Sequence, residues 1–240
     1  MIRVVYNGRN TDNIIEKMKK IKDKILSDPL LNRGDINRIF AENTNDMSLL
    51  SMQVADDVAG KARVLFVDFG MTEEMRRFRY SYESGIPYTF PGTLIFSKAG
   101  EPVSGSLHDR DLFGLICGEF SDAGNIDVII INDTSNIPGK AGNEAVEDDF
   151  ILKMVTFAKK RKCTLLLFSG MRRKGALCDM PTLAKNQRLF DNVFMLYTSC
   201  DLDISVKQIY SKTGGYKAGG SDGWKMERDI SRPFPRIVIH

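Results

Sequence analysis

The chain has 240 residues, long enough to bury one substantial core, and its 42% hydrophobic and 27% charged residues exclude wholesale disorder. A formal charge of +3 is too small to name a partner, because only clustered basic residues make a useful field. The four cysteines, Cys117, Cys163, Cys178 and Cys200, lack the spacing of a zinc site, and two histidines, His108 and His240, argue against a His-based metal centre or a Ser/His/Asp triad.

The first 32 residues stand apart as an N-terminal arm, and residues 33–240 are expected to form one domain. Within the arm Ile14, Met18, Ile21 and Ile25 recur at helical spacing, and Lys17, Lys19, Lys20, Lys22 and Lys24 cover the rest of the surface. This is a basic amphipathic helix ended at Ser27, Asp28 and Pro29. It packs either on its own domain or, as a narrow stripe suits a groove, on a neighbouring subunit. Strands and helices then alternate. Residues 36–41 form a short apolar strand, residues 48–59 a helix, residues 63–69 a β-branched strand covered on both faces, and residues 72–78 a helix with Thr72 as its N-cap. Residues 93–97 are a further strand, residues 109–120 a helix, and residues 127–131 a buried strand. In the helix over residues 144–160, Phe150, Ile151, Met154, Val155 and Ala158 share a face. Strands over residues 164–168 and 193–197 complete five buried strands. Residues 204–210 alternate as an edge strand would. Residues 212–223, with five glycines and two lysines, read as a basic loop. The pattern predicts an α/β fold, with a mostly parallel central sheet and helices on both faces. No apolar run approaches the roughly 20 residues of a membrane span. The N-terminus also lacks the apolar core of a signal peptide, so a cytoplasmic protein with reduced thiols and no membrane partner is expected.

Five segments in order carry a resemblance. Residues 30–41 (LLNRGDINRIFA) place a Gly-Asp pair before an apolar strand, and residues 63–77 (RVLFVDFGMTEEMRR) end a strand in an acidic helix start. Residues 127–133 (DVIIIND), 164–173 (TLLLFSGMRR) and 186–197 (NQRLFDNVFMLY) follow. Together, over residues 30 to 215, they resemble the RecA-type and DnaB-type motor domain of replicative ring helicases. The resemblance implies a RecA-like P-loop NTPase fold.

The departures from that family matter more than the matches. A phosphate loop uses glycines so that backbone N–H groups converge on phosphate oxygens, a lysine to neutralise them and a hydroxyl to hold magnesium. The matching segment here, Glu42, Asn43, Thr44, Asn45, Asp46, Met47, Ser48 and Leu49, has no glycine and no lysine, and Glu42 and Asp46 would repel phosphates. The family's catalytic glutamate aligns with Gly70, with Asp68 a displaced substitute. The Walker B aspartate aligns with Asn132, or with Asp133 after a slip of one residue. The sensor position holds Gly170, and Ser211, Lys212 and Thr213 stand where a Lys-x-Arg finger pair would be. An eroded ATP site with no confident catalytic residue, no bound cofactor and no metal is therefore expected.

Two basic segments look functional. Arg172, Arg173 and Lys174 follow the fourth core strand directly, where ligand-contacting loops emerge. Lys212, Tyr216 and Lys217, among glycines, offer charge along a phosphate backbone plus one stacking ring. The run from Lys159 to Lys162 is explained by the dipole of the helix it ends. The expected function is an inactive helicase or recombinase relative that binds single-stranded DNA or a replication-protein partner, as a homo-oligomer. The alternatives are a working ATPase or helicase that binds ATP and magnesium through a divergent loop, and a structural scaffold of a replication complex.

Overall fold

The computed structural model describes residues 34–71, 89–100, 111–138, 144–171, 173–174, 177–178, 187–198, 204–212, 215–216, 224–229 and 236–239. The strands are β1 (Ile36–Ala41), β2 (Val64–Asp68), β3 (Leu94–Phe96), β4 (Val128–Asn132), β5 (Thr164–Gly170), β6 (Arg173–Lys174), β7 (Leu177–Cys178), β8 (Asn192–Thr198), β9 (Ile204–Ser211), β10 (Gly215–Tyr216), β11 (Trp224–Asp229) and β12 (Arg236–Ile239). Three helices are described: α1 (Thr44–Ala59), α2 (Leu112–Ala123) and α3 (Glu144–Arg161).

β3, β2, β4, β5, β1 and β8 lie side by side in that order and run parallel. Every residue of β2 and β4 is buried, as strands covered on both faces require. Ile39, Ala41, Val64, Phe66, Val128, Ile130 and Phe168 pack in the cluster that contains Met47, Leu50, Val54 and Val58 of α1. The alternate residues, among them Ile36, Leu65, Ile129, Ile131 and Leu167, pack with Ile116 of α2 and with Phe150, Ile151, Met154, Val155 and Ala158 of α3. The shared face read from the sequence for those α3 residues is therefore the buried one. Each such side chain contributes roughly 1.5–3 kcal/mol by leaving water.

β9 turns the sheet antiparallel. The alternation of residues 204–210 suggested an edge strand, but β9 pairs with β8 on one side and β11 on the other, and β12 forms the edge beyond. This extension brings β12 against α1, so α1 is buried on most of its surface. The N-terminal arm with Ile14, Met18, Ile21 and Ile25, and the helix expected over residues 72–78, lie outside the described residues. No helix among the described residues is long and apolar enough to cross a membrane.

Candidate functional site

In a parallel sheet the ligand-facing loops leave the carboxyl ends of the strands. At that edge β1 passes into α1 through only two residues, Glu42 and Asn43. Thr44, Asn45, Asp46 and Ser48, aligned above with a phosphate loop, are helical, and the helix begins four residues before the expected start at Ser48. The cause is a strong cap. Asn43 is extended, its side-chain oxygen accepts from the N–H groups of Asn45 (2.9 Å) and Asp46 (3.4 Å), and its carbonyl accepts from Met47 N at 3.0 Å. Those N–H groups are the ones a phosphate would need. Met47 and Asp46 are fully buried, so neither offers a side chain to a ligand. Near Glu42, burial and that carboxylate raise the Tyr197 phenol above its ordinary value. The segment does not fit a magnesium nucleotide: N–H groups at the helix start are taken by the Asn43 side chain, and the carboxylates of Glu42 and Asp46 belong to the same turn.

Asp68 ends β2 and Asn132, its partner in register, ends β4. Asp68 Oδ1 accepts from Gly70 N (2.8 Å), Met71 N (3.2 Å) and Asn132 Nδ2 (3.1 Å), so this oxygen is engaged inside the protein. Asn132 Nδ2 also donates to Ser48 Oγ at 3.2 Å, whereas Asn132 Oδ1 is buried without a hydrogen-bond partner. Gly100 holds Asp68 from behind, since a Cβ there would stand 2.0 Å from the Asp68 carbonyl oxygen. Asp133 follows in the left-handed region (φ 59°), where its carboxylate accepts from Ser135 Oγ and from Asn136 Nδ2 at 2.5 Å. A Cβ on Gly70 would sit 3.3 Å from Asp68 Oδ1 and 3.4 Å from Asp133 Oδ2, so the two displaced acidic candidates do converge on one point. Gly170, at the sensor position, is just as confined: its Cβ would meet Thr44 Cγ2 at 3.0 Å and Ser135 Oγ at 3.1 Å. Among the described residues no cluster of three His, Cys, Asp or Glu is placed to hold a metal ion.

Sequence reasoning missed a second polar network beside this one. Arg38 of β1 contacts Glu147 at 3.4 Å and Ser169 Oγ at 3.3 Å, and Thr134 Oγ1 donates to Glu147 at 2.9 Å and lies 2.6 Å from Ser169 Oγ. The guanidinium lies over Phe40 (4.5 Å) and Phe190 (5.5 Å). Burial pulls its pKa below the ordinary value, against the opposing effect of Glu147 and Asp148. An amide ladder crosses three strands as well: Asn192 Nδ2 donates to Asn37 Oδ1 and Gln208 Nε2 to Asn192 Oδ1, both at 2.9 Å. Cys117 and Cys163 are free thiols, and burial pushes Cys163 up to about 11.

The two basic segments do not meet. Arg173 and Lys174 form β6, paired with β7 in a small hairpin just beyond the carboxyl end of β5, where Met171 N donates to Ala41 O at 2.7 Å. Lys212 follows β9, which runs the other way: Lys212 N donates to Asp191 O, and Asp191 precedes β8. Tyr216 pairs with Tyr210 near that same end. Lys212 and Tyr216 are therefore at the amino edge, roughly 20 Å from the hairpin across a strand of six residues. Among the described residues the two segments lie at opposite edges of the sheet. Lys212 is also bound to Asp191 at 3.5 Å. Arg172 and Lys217 lie outside the described residues.

No family model matches the sequence, and no curated protein does. Among solved structures the chain is similar to a KaiC-like protein of the hyperthermophilic archaeon Pyrococcus horikoshii, with 15% identity and a TM-score of 0.62 over 88% of this chain and 91% of that one. With the parallel order β3, β2, β4, β5, β1, β8, this likeness gives the chain a RecA-like P-loop NTPase fold with helices on both faces of the sheet.

Proposed function

We propose that the chain is a RecA-fold subunit of DNA replication or recombination machinery that binds single-stranded DNA, or a partner protein, without hydrolysing ATP. One observation carries the loss of hydrolysis: residues 44–47 are wound into a capped helical turn where a nucleotide-binding member needs an open nest of N–H groups. Loss of a base, a metal ligand and a sensor removes further terms of phosphoryl transfer. The DNA reading is supported by two groups of exposed or edge-strand cations and by the resemblance of five sequence segments to replicative motors.

Titration of the full chain with a fluorescent ATP analogue and magnesium gives no saturable binding up to about 1 mM, a limit of about 4 kcal/mol. Oligo-dT binds with an affinity that falls steeply with salt and does not respond to ATP. Saturable nucleotide binding, or no DNA binding at about 50 mM salt, overturns the corresponding half of the reading. A second reading, a divergent ATPase completed by a neighbouring subunit, is favoured by the meeting of Asp68 and Asp133 around Gly70. It requires magnesium-dependent phosphate release that Asp133→Ala abolishes.

A further inference from the structure

We infer that single-stranded nucleic acid is held at the amino edge of the sheet, on the side away from the degenerate nucleotide site. This deepens, and rests on, the DNA-binding half of the proposed function. Three separate elements deliver exposed cations there. α3 runs antiparallel to the strands it connects, so Lys159, Lys160, Arg161 and then Lys162 end it at this edge. Arg188 lies in the turn before β8, and Lys212 ends β9. Lys159 Nζ donates to Leu189 O at 3.0 Å, and Lys212 N donates to Asp191 O at 2.8 Å, so the three elements form one band.

The helix dipole explains cations in the last turn of α3. It does not explain Arg188 or Lys212, which belong to other elements. Lys162 adds a second sign. It adopts φ 56°, a left-handed conformation more easily taken by glycine, yet this position carries a lysine with its side chain exposed. The carboxylates that face the band are engaged by backbone: Asp191 Oδ2 accepts from Ile36 N at 2.9 Å, and Asp127 Oδ2 accepts from Arg63 N at 3.1 Å. Asp191 also holds Lys212, and Asp35 is half-buried, its carbonyl accepting from Leu165 N of β5 at 3.0 Å.

The band is a row of charges drawn from three elements, which suits an extended polyanion. Tyr216 pairs in register with Tyr210 at the end of β9, so the backbone brings an aromatic residue to this edge, and aromatic residues near cations favour unpaired bases over a duplex or a lipid surface.

The test compares the full-length protein with the triple variant Lys160→Glu, Lys162→Glu, Arg188→Glu and with its neutral counterpart, all three changed to Gln. Fluorescence anisotropy with labelled oligo-dT is the readout, and circular dichroism checks the fold. The Glu variant binds at least about tenfold more weakly. In the Gln variant the slope of log K against log salt is smaller by about 2, near 0.7 for each lost contact. Arg173→Glu with Lys174→Glu, on the opposite edge, has the smaller effect. If the unaltered protein binds no oligonucleotide at about 50 mM salt, the DNA reading itself fails. If binding survives in a folded amino-edge variant and is lost in the hairpin variant, only this assignment fails. Binding to phosphatidylserine vesicles without binding to oligo-dT overturns it too.

Discussion

Arg38 is the least expected side chain in the core. It sits in an apolar strand with its partners more than 100 residues away in sequence, so periodicity alone treats it as a polar interruption. Its carboxylate contact, 3.4 Å from Glu147, is modest, and both side chains are only 12–13% exposed. Removing one member of such a pair leaves the other as an uncompensated buried charge, whereas replacing both members with apolar chains of similar size is tolerated better. Glu147→Gln should therefore cost about 3 kcal/mol, and the double variant Arg38→Met with Glu147→Leu clearly less, in urea unfolding. The reverse order would mean that the rings of Phe40 and Phe190, together with Ser169, hold the guanidinium without help from the acid. The site residues were legible to different degrees. Asn132, Asp133, Gly70 and Gly170 were read at or just past strand ends, where the structure has them, because the end of an apolar run fixes position closely. Their mutual engagement was invisible, because side-chain hydrogen bonds across 64 or 84 positions leave no local signal.

The strands were read well because their apolar residues are contiguous and are covered on both faces. α1 was not. Its true start carried a clear signal, Asn43 ahead of Thr44, but alignment with a looped motif outweighed the cap. The winding of this segment has a mutational consequence. Met47 lies within the segment that the resemblance aligns with a phosphate loop, and it is fully buried. Met47→Lys should restore no nucleotide affinity. It should instead lower stability by several kcal/mol, since a cation is driven into apolar surroundings. A calorimetric titration with magnesium ATP and a denaturant melt check both halves, and tight nucleotide binding by the variant would show that the turn can reopen. β9 was misjudged for a different reason. β11, with the sequence WKMERD, does not read as a sheet strand on its own, and only long-range pairing shows that it covers β9.

Across the molecule, the described residues begin at residue 34, beyond the arm. The amphipathic stripe of Ile14, Met18, Ile21 and Ile25 remains a proposal for contact between subunits. If it docks on a neighbour, a chain lacking residues 1–28 should shift toward monomer in light scattering while its far-ultraviolet dichroism keeps the signature of the α/β domain. An unchanged mass would return the stripe to its own domain. The class and layering of the fold were legible from alternation alone. The placement of the basic segments was not, because it depends on the direction in which β9 runs, and direction is a property of the assembled sheet.

The reversal at β9 divides the surface into two poles. Each end of the domain has its own cations, and a ligand that reached both would have to bend around the flank of the sheet. Two short ligands would not compete for space. On the proposed reading, a strand held at the amino edge would leave the carboxyl edge free for a second ligand, so that one protein would join two chains instead of threading one through a bore.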